Sequence, residues 1–254
     1  MIKKIFITGA SSGLGWALAK GYDSENNILG LVGRNKENLL KLQKQLNCRS
    51  QVLVADVAKP TSMRIAANTF KKKYGSPDIV IANAGVSSGT LASKKEDLVV
   101  IHKIFQINFH GVLNTFNPFM DDLLQSRQGQ LVAIASVAGI RGLPGAGAYS
   151  ASKSALINYM ESIRVELKKF NIHVTTISPG YIKTPMTKIN TYPMPFLIDA
   201  EQAATKIIHI IDKKKSHAIL PWQMSLVAKI MHILPNYLWD FLAKNGPKKK
   251  RNIL

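Results

Sequence analysis

Short apolar runs recur along this chain, each closing on glycine or a small polar residue and each followed by a longer amphipathic stretch. Residues 2–8 form the first run, which reaches Gly9-Ala10-Ser11-Ser12-Gly13-Leu14-Gly15 before helical periodicity sets in over 14–22. Residues 28–32 end at Gly33-Arg34-Asn35 and precede a polar helix over 36–46. Residues 51–55 end at Asp56-Val57, with a helix expected over 61–74, and residues 79–82 run into Asn83-Ala84-Gly85. A long helix is expected over 97–124, a fifth strand over 130–136, another long helix over 149–170 and a sixth strand over 173–178.

Continuous apolar strands that alternate with helices predict right-handed crossovers and an α/β fold. The expected architecture is a Rossmann-like, doubly wound parallel sheet flanked by helices on both faces. Ligands of such sheets bind beyond the carboxyl ends of the strands. Ser11, Arg34, Asp56, Asn83, Ser136 and Thr184 all fall there.

The 254 residues, 46% hydrophobic, suit one domain over 1–254, with a core over 1–185, a substrate lid over about 186–200 and a helical extension over about 221–254. The single cysteine, Cys48, excludes an intrachain disulfide and any cysteine-based zinc cluster, and no metal site is expected. The opening run reads as a buried strand rather than a secretory signal, so a reducing, cytoplasmic location is expected.

Charge changes the picture more. Against 34 Lys and Arg stand 15 Asp and Glu, a net +19. The basic residues lie in short runs at 71–73, 94–95, 168–169, 213–215 and 248–250. Such scatter serves solubility, an anionic membrane surface, an acidic protein partner or nucleic acid. No zinc module, aromatic-rich RNA-binding signature or arginine-rich block accompanies it, which argues against nucleic acid.

A strand, then Gly9-x-x-x-Gly13-x-Gly15, then a helix is the setting of a dinucleotide-binding turn. Gly9 allows the tight turn, Gly13 lets backbone approach a pyrophosphate, and Gly15 permits close packing of helix on strand. The helix amino terminus supplies free amides and partial positive charge to phosphates. Elsewhere, Tyr149 and Lys153 share one helix face, a turn apart. An ammonium beside a phenol lowers the tyrosine from its usual pKa of about 10, giving a general acid/base near neutral pH.

Thr8-Gly9-Ala10-Ser11-Ser12-Gly13-Leu14-Gly15 resembles the cofactor signature of the short-chain dehydrogenase/reductase superfamily. The family's other marks follow in order: Asp56-Val57, Ala82-Asn83-Ala84-Gly85, Asn108, Ser136, Tyr149-x-x-x-Lys153 and Pro179-Gly180-x-Ile182-x-Thr184. The match covers roughly residues 2–187. One departure is Ala82, where the family commonly carries Asn; Asn83 keeps the position that matters more for sheet and cofactor backbone. The resemblance implies a cofactor site of Gly9, Ser11, Ser12, Gly13, Leu14, Gly15, Asp56, Val57, Asn83, Ala84, Gly85, Pro179, Gly180, Ile182 and Thr184, together with Tyr149 and Lys153. It also implies a homodimer or homotetramer built on the two long helices.

An acidic residue at the end of the second strand would bond the adenosine ribose hydroxyls and repel a 2′-phosphate. Gly33 stands at that point, followed by Arg34, whose guanidinium suits a phosphate in charge and fork geometry. NADP(H) is therefore expected over NAD(H).

The resemblance assigns Ser136, Tyr149, Lys153 and Asn108 as the catalytic set. Hydride transfer to a carbonyl leaves an alkoxide that needs a proton and hydrogen-bond donors. Tyr149 would move the proton and Ser136 would polarise the carbonyl. Lys153 would lower the Tyr149 pKa and hold the ribose hydroxyls. Asn108 would anchor a water linking Lys153 to solvent.

Residues 186–197 look like a substrate-covering loop in which Met194 and Phe196 would favour an apolar substrate. Over 221–254, Leu226, Ile230, Ile233, Leu234, Tyr237, Phe241 and Leu242 recur at helical spacing, interrupted by Pro235 and followed by Gly246-Pro247 and a basic run. One reading is a helix packed on the substrate pocket or a neighbouring subunit, then a frayed tail. The other is an interfacial helix with a basic anchor, making peripheral membrane contact for a lipid-like substrate. The expected function is NADP(H)-dependent interconversion of a carbonyl and an alcohol. The rivals are a 3-oxoacyl-thioester (acyl carrier protein) reductase and a non-catalytic dinucleotide-sensing binding protein.

Overall fold

The first apolar run becomes strand β1, Lys4–Thr8, and its alternating side chains already divide the protein into two layers. Ile5 and Ile7 point into one apolar cluster and Phe6 into the other, and all three are fully buried. The structure, a computed structural model, describes residues 2–244, 246 and 249–251. Pro247 and Lys248, in the expected helix stop and basic run, lie outside the described residues.

In chain order the elements are β1, α1 (Gly13–Gly21), β2 (Ile28–Gly33), α2 (Lys36–Gln43), β3 (Arg49–Val54), α3 (Pro60–Tyr74) and β4 (Ile79–Ala82). Next come α4 (Asp97–Phe105), α5 (Gly111–Phe116), α6 (Met120–Ser126), β5 (Gly129–Ile134), α7 (Gly147–Lys168) and β6 (Ile172–Pro179). The chain continues through β7 (Ile182–Lys183), α8 (Pro185–Lys188), β8 (Ile198–Asp199), α9 (Ala200–Asp212) and β9 (His217–Leu220). Two helices close it, α10 (Trp222–Ile233) and α11 (Asn236–Ala243).

Seven parallel strands pair in the order β3-β2-β1-β4-β5-β6-β9. The winding reverses between β1 and β4, and a crevice opens beyond their carboxyl ends. On one face lie α3, α5 and α7, through Met63, Phe70, Phe116, Leu156 and Met160; on the other lie α1, α2 and α9, through Leu14, Leu18, Leu39, Leu42 and Ile207. Phe6 anchors the first layer, its ring 5.7 Å from Phe70 and 4.9 Å from Phe119 in edge-to-face geometry. Burying a ring of this kind contributes about 1.5–3 kcal/mol.

The expected helix over 97–124 is broken where its backbone ladder is disturbed. Gln106–His110 forms a π turn around Asn108, and Asn117–Phe119 a 3-10 turn at Pro118, which has no N–H to donate. The seventh strand, β9, is four residues long behind a lysine run and leaves no periodic signal of its own. Helix α9 and the short β7–β8 pair also go beyond the sequence reading. Pro235 separates α10 from α11 as its missing donor requires.

Candidate active site

The turn from β1 into α1 packs directly against the end of β4. Gly9 has φ +69°, and a Cβ there would lie 2.8 Å from Asn83 Nδ2 and 2.9 Å from Ala84 Cα. A Cβ on Gly15 would run into the Gly9 carbonyl oxygen. Asn83 locks the two strand ends together: its Nδ2 donates to Thr8 O at 2.9 Å and its N–H to Thr8 Oγ1 at 3.1 Å. Ser12, the N-cap of α1, makes no side-chain capping bond, and no acid occupies the first turn. Free first-turn amides and a side-chain-free approach at Gly13 fit the pyrophosphate of a dinucleotide.

At the end of β2, Gly33 faces Ser11: a Cβ there would sit 3.2 Å from Ser11 Oγ. Arg34 is exposed beside it and makes no ion pair among the described residues. Asp56 caps its own turn, Oδ1 accepting from Ala58 N at 3.0 Å, while Asp56 and Val57 both line the cleft. No Asp or Glu occupies the turn Gly33-Arg34-Asn35 at the end of β2.

Lys153 is buried, and its ammonium donates to Ile134 O at 2.7 Å. Burial lowers its pKa from 10.5 to about 8. Tyr149, a turn earlier on α7, is held above its ordinary range by burial; a hydrogen bond with Ser136 pulls the other way, and nearby Tyr181 adds to the rise. The depression expected from Lys153 is therefore absent. Burial disfavours both charged forms, and the lysine spends its short bond on a strand carbonyl. Ser136 caps the 3-10 turn Val137–Gly139, accepting from Ala138 N at 3.2 Å.

Asn108 lies wholly buried in the π turn, its amide engaged at both ends. Oδ1 accepts from Val86 N at 2.8 Å, and Nδ2 donates to Val86 O at 2.9 Å and Ser152 Oγ at 3.1 Å. It thus fixes the segment after β4 against α7 without bonding Lys153. A Cβ on Gly85 would come 3.2 Å from Asn108 Oδ1 and 3.6 Å from Lys153 Nζ, so all three meet at one point.

One cavity of about 630 Å³ collects these groups. Ser11, Ser12, Gly13, Leu14, Ala84, Pro179, Gly180, Ile182 and Thr184 line it with the residues already placed. Gly15 and Asn108 stand behind its wall rather than in it. Met194 and Phe196, expected to face substrate, do not line it, and Phe196 is 47% exposed. The apolar wall comes instead from Met186, Tyr192, Met224, Met231, Trp239 and Leu242. Arg141 ties this wall down: Nη1 donates to Met231 O at 2.7 Å and also to Leu234 O, Nη2 to Asn236 Oδ1 at 2.9 Å, and the guanidinium lies 4.9 Å from the Trp239 ring centre.

The expected frayed tail also differs. Lys249 lines the cavity and Arg251 pairs with Glu96 and Asp97. Nothing in a run of adjacent lysines marks one of them for the interior.

The family model described as short chain dehydrogenase matches residues 3–193. The chain belongs to the short-chain dehydrogenase/reductase family. Like the family, it is an oxidoreductase acting on CH–OH groups with NAD(P). It is 33% identical over 241 residues to an "Uncharacterized oxidoreductase" of Myxococcus xanthus (strain DK1622), covering 94% of this chain and 95% of that one. It is 30% identical over 269 residues to "Dehydrogenase/reductase SDR family member 7B" of Mus musculus, covering 98% of this chain and 82% of the mouse protein. A solved short-chain type dehydrogenase/reductase from Mycobacterium marinum shares the fold at TM-score 0.79 and 21% identity, covering 92% of this chain and 96% of that one.

Proposed function

We propose that this short-chain dehydrogenase/reductase interconverts a carbonyl and an alcohol on an apolar, lipid-like substrate, with NADP(H) preferred over NAD(H). The observation that carries the reading is a single cavity with a glycine turn and Arg34 at one end, Ser136, Tyr149 and Lys153 between, and an apolar wall at the other. The nicotinamide, when bound, supplies or accepts the hydride. Tyr149 holds the proton that the substrate oxygen gains in reduction and takes it back in oxidation. Ser136 Oγ donates to the same oxygen as charge develops there. Lys153 holds its ammonium beneath the site and orients ribose hydroxyls. Asn108 keeps the Val86 backbone and α7 in register so that these groups stay within reach of one another.

The same C-terminal helices supply the reason for an apolar substrate. Met224 and Met231 face the cavity, while Trp222, Leu226, Ile230, Ile233, Tyr237 and Phe241 form an exposed stripe along α10 and α11. Lys229 and Lys244 flank it, and Lys244 Nζ lies 4.7 Å from the Phe241 ring centre. Aromatic and apolar side chains edged by lysine suit the headgroup boundary of an anionic bilayer, and peripheral membrane contact is part of the proposal. No helix among the described residues is long and apolar enough to cross a membrane.

Tyr149→Phe removes the proton and leaves the ring. A panel of long-chain ketones, aldehydes and 3-oxoacyl thioesters, assayed with NADPH and NADH, is expected to lose about 10³-fold or more in kcat, with NADPH binding retained. Turnover confined to 3-oxoacyl thioesters would favour the acyl-carrier rival. NADPH binding without any Tyr149-dependent turnover would favour the sensor.

A further inference from the structure

We infer that the carboxyl-terminal segment carries an anion-binding subsite into the substrate end of the cavity, in which Lys249 receives a carboxylate or phosphate on an otherwise apolar carbonyl substrate. The inference deepens, and rests on, the carbonyl–alcohol reading of the site.

The segment is fastened in place by main-chain and ionic contacts. Gly89 N donates to Lys250 O at 2.9 Å, and a Cβ on Gly89 would strike the Lys249 carbonyl oxygen. Two residues on, the Arg251 guanidinium forks onto Asp97, with Nη2 to Oδ1 at 2.8 Å and Nε to Oδ2 at 3.0 Å. It also reaches Glu96 Oε1 at 3.0 Å. Asp97 has no exposed surface, and its Oδ2 also accepts from Leu91 N at 2.7 Å. A bidentate arginine on a buried carboxylate is a geometrically specific clamp.

The clamp delivers Lys249 to the proton-transfer group. Its ammonium lies 4.8 Å from the Tyr149 ring centre and hydrogen-bonds Ser87 Oγ, itself almost wholly buried. Among the described residues no carboxylate comes within ion-pairing distance of it. Burial alone lowers its pKa to about 8. An ammonium has three donors; one goes to Ser87, and an aromatic face offers a quadrupole rather than a counter-charge. A half-buried cation without an anion carries a desolvation cost, and a substrate anion would offset it. Lys153 donates to Ile134 O, and on the reading above its remaining donors serve the ribose hydroxyls of the cofactor. Arg34 lies with the glycine turn at the cofactor end of the cavity. Trp239 and Leu242 line the same cavity and supply apolar surface for the rest of such a substrate.

Binding of non-reacting probes tests the subsite apart from turnover. Dodecanoate, dodecyl phosphate and 1-dodecanol would be titrated calorimetrically into the full-length protein and into Lys249→Gln and Lys249→Arg. The native protein should bind at least one anion about tenfold or more tighter than the alcohol, and the tighter anion names the group. Lys249→Gln should bring the three affinities within about threefold of one another. Lys249→Arg, which keeps the charge, should restore the preference and exclude misfolding as the cause of its loss. Equal affinities in the native protein, or a preference that survives Lys249→Gln, would overturn the subsite. So would a uniform tightening of all three probes in that variant, since the lysine would then be a plug. Failure of the oxidoreductase reading shows separately, as absence of Tyr149-dependent turnover on neutral carbonyls.

Discussion

Replacing Lys153 by methionine should change the pH dependence of stability by an amount that the burial of its ammonium sets. Lys153 is 4% exposed and its pKa falls from 10.5 to about 8 on folding. Between those values the unfolded chain still binds a proton that the folded protein has released, so stability climbs as pH rises. The cost of the buried charge is complete below pH 8, shrinks through that window, and is gone above 10.5. The gap between the two values corresponds to about 3 kcal/mol, of which about 2 kcal/mol is recovered between roughly pH 7 and 9.5. Methionine is unbranched, similar in length and cannot titrate. Losing the bond to Ile134 O displaces its curve vertically without tilting it. Urea unfolding of both proteins at several pH values gives the difference directly, and Lys249 and the tyrosines, common to both, cancel. Native stability should gain about 2 kcal/mol on the variant over that range. A flat difference, or one of opposite sign, would refute a neutralisable lysine under the active site.

Two further predictions test the cofactor end of the cavity and the exposed face of the C-terminal helices. Arg34→Glu replaces the cation next to Gly33 with a carboxylate, and should weaken NADPH binding at least about tenfold while NADH changes far less, read by fluorescence titration. Equal losses for both dinucleotides would remove Arg34 from cofactor choice. A triple change of Trp222, Ile233 and Phe241 to serine removes three strongly exposed members of the C-terminal stripe and should lower partitioning onto vesicles of mixed phosphatidylserine and phosphatidylcholine at least about tenfold. Co-sedimentation that matches the native protein would sink membrane contact.

Much of the fold and cofactor end is legible in the chain because the interactions that define them are local. A parallel strand is a short apolar run, and the turn after it must carry whatever meets the ligand, so Gly9, Asn83, Ser136 and Thr184 announce themselves by position. Asn83 could be assigned by position, yet the reason it is needed, its bonds to Thr8, joins residues 75 apart. Asn108 was readable as unusual in a helix but not as the residue that opens a π turn to hold Val86. Strand β9 has too few residues to show a period, and it forms because Thr176–Pro179 offers an unpaired edge. Within the expected loop the wall falls to Met186 and Tyr192 rather than Met194 and Phe196, since hydropathy cannot say which side chains of an apolar segment turn inward. The sharpest case is Lys249. Along the chain it is one of several adjacent cations, all alike in charge and hydration. Only the pairing of Arg251 with Asp97, 154 positions away, separates it from them and sets its ammonium beside Tyr149.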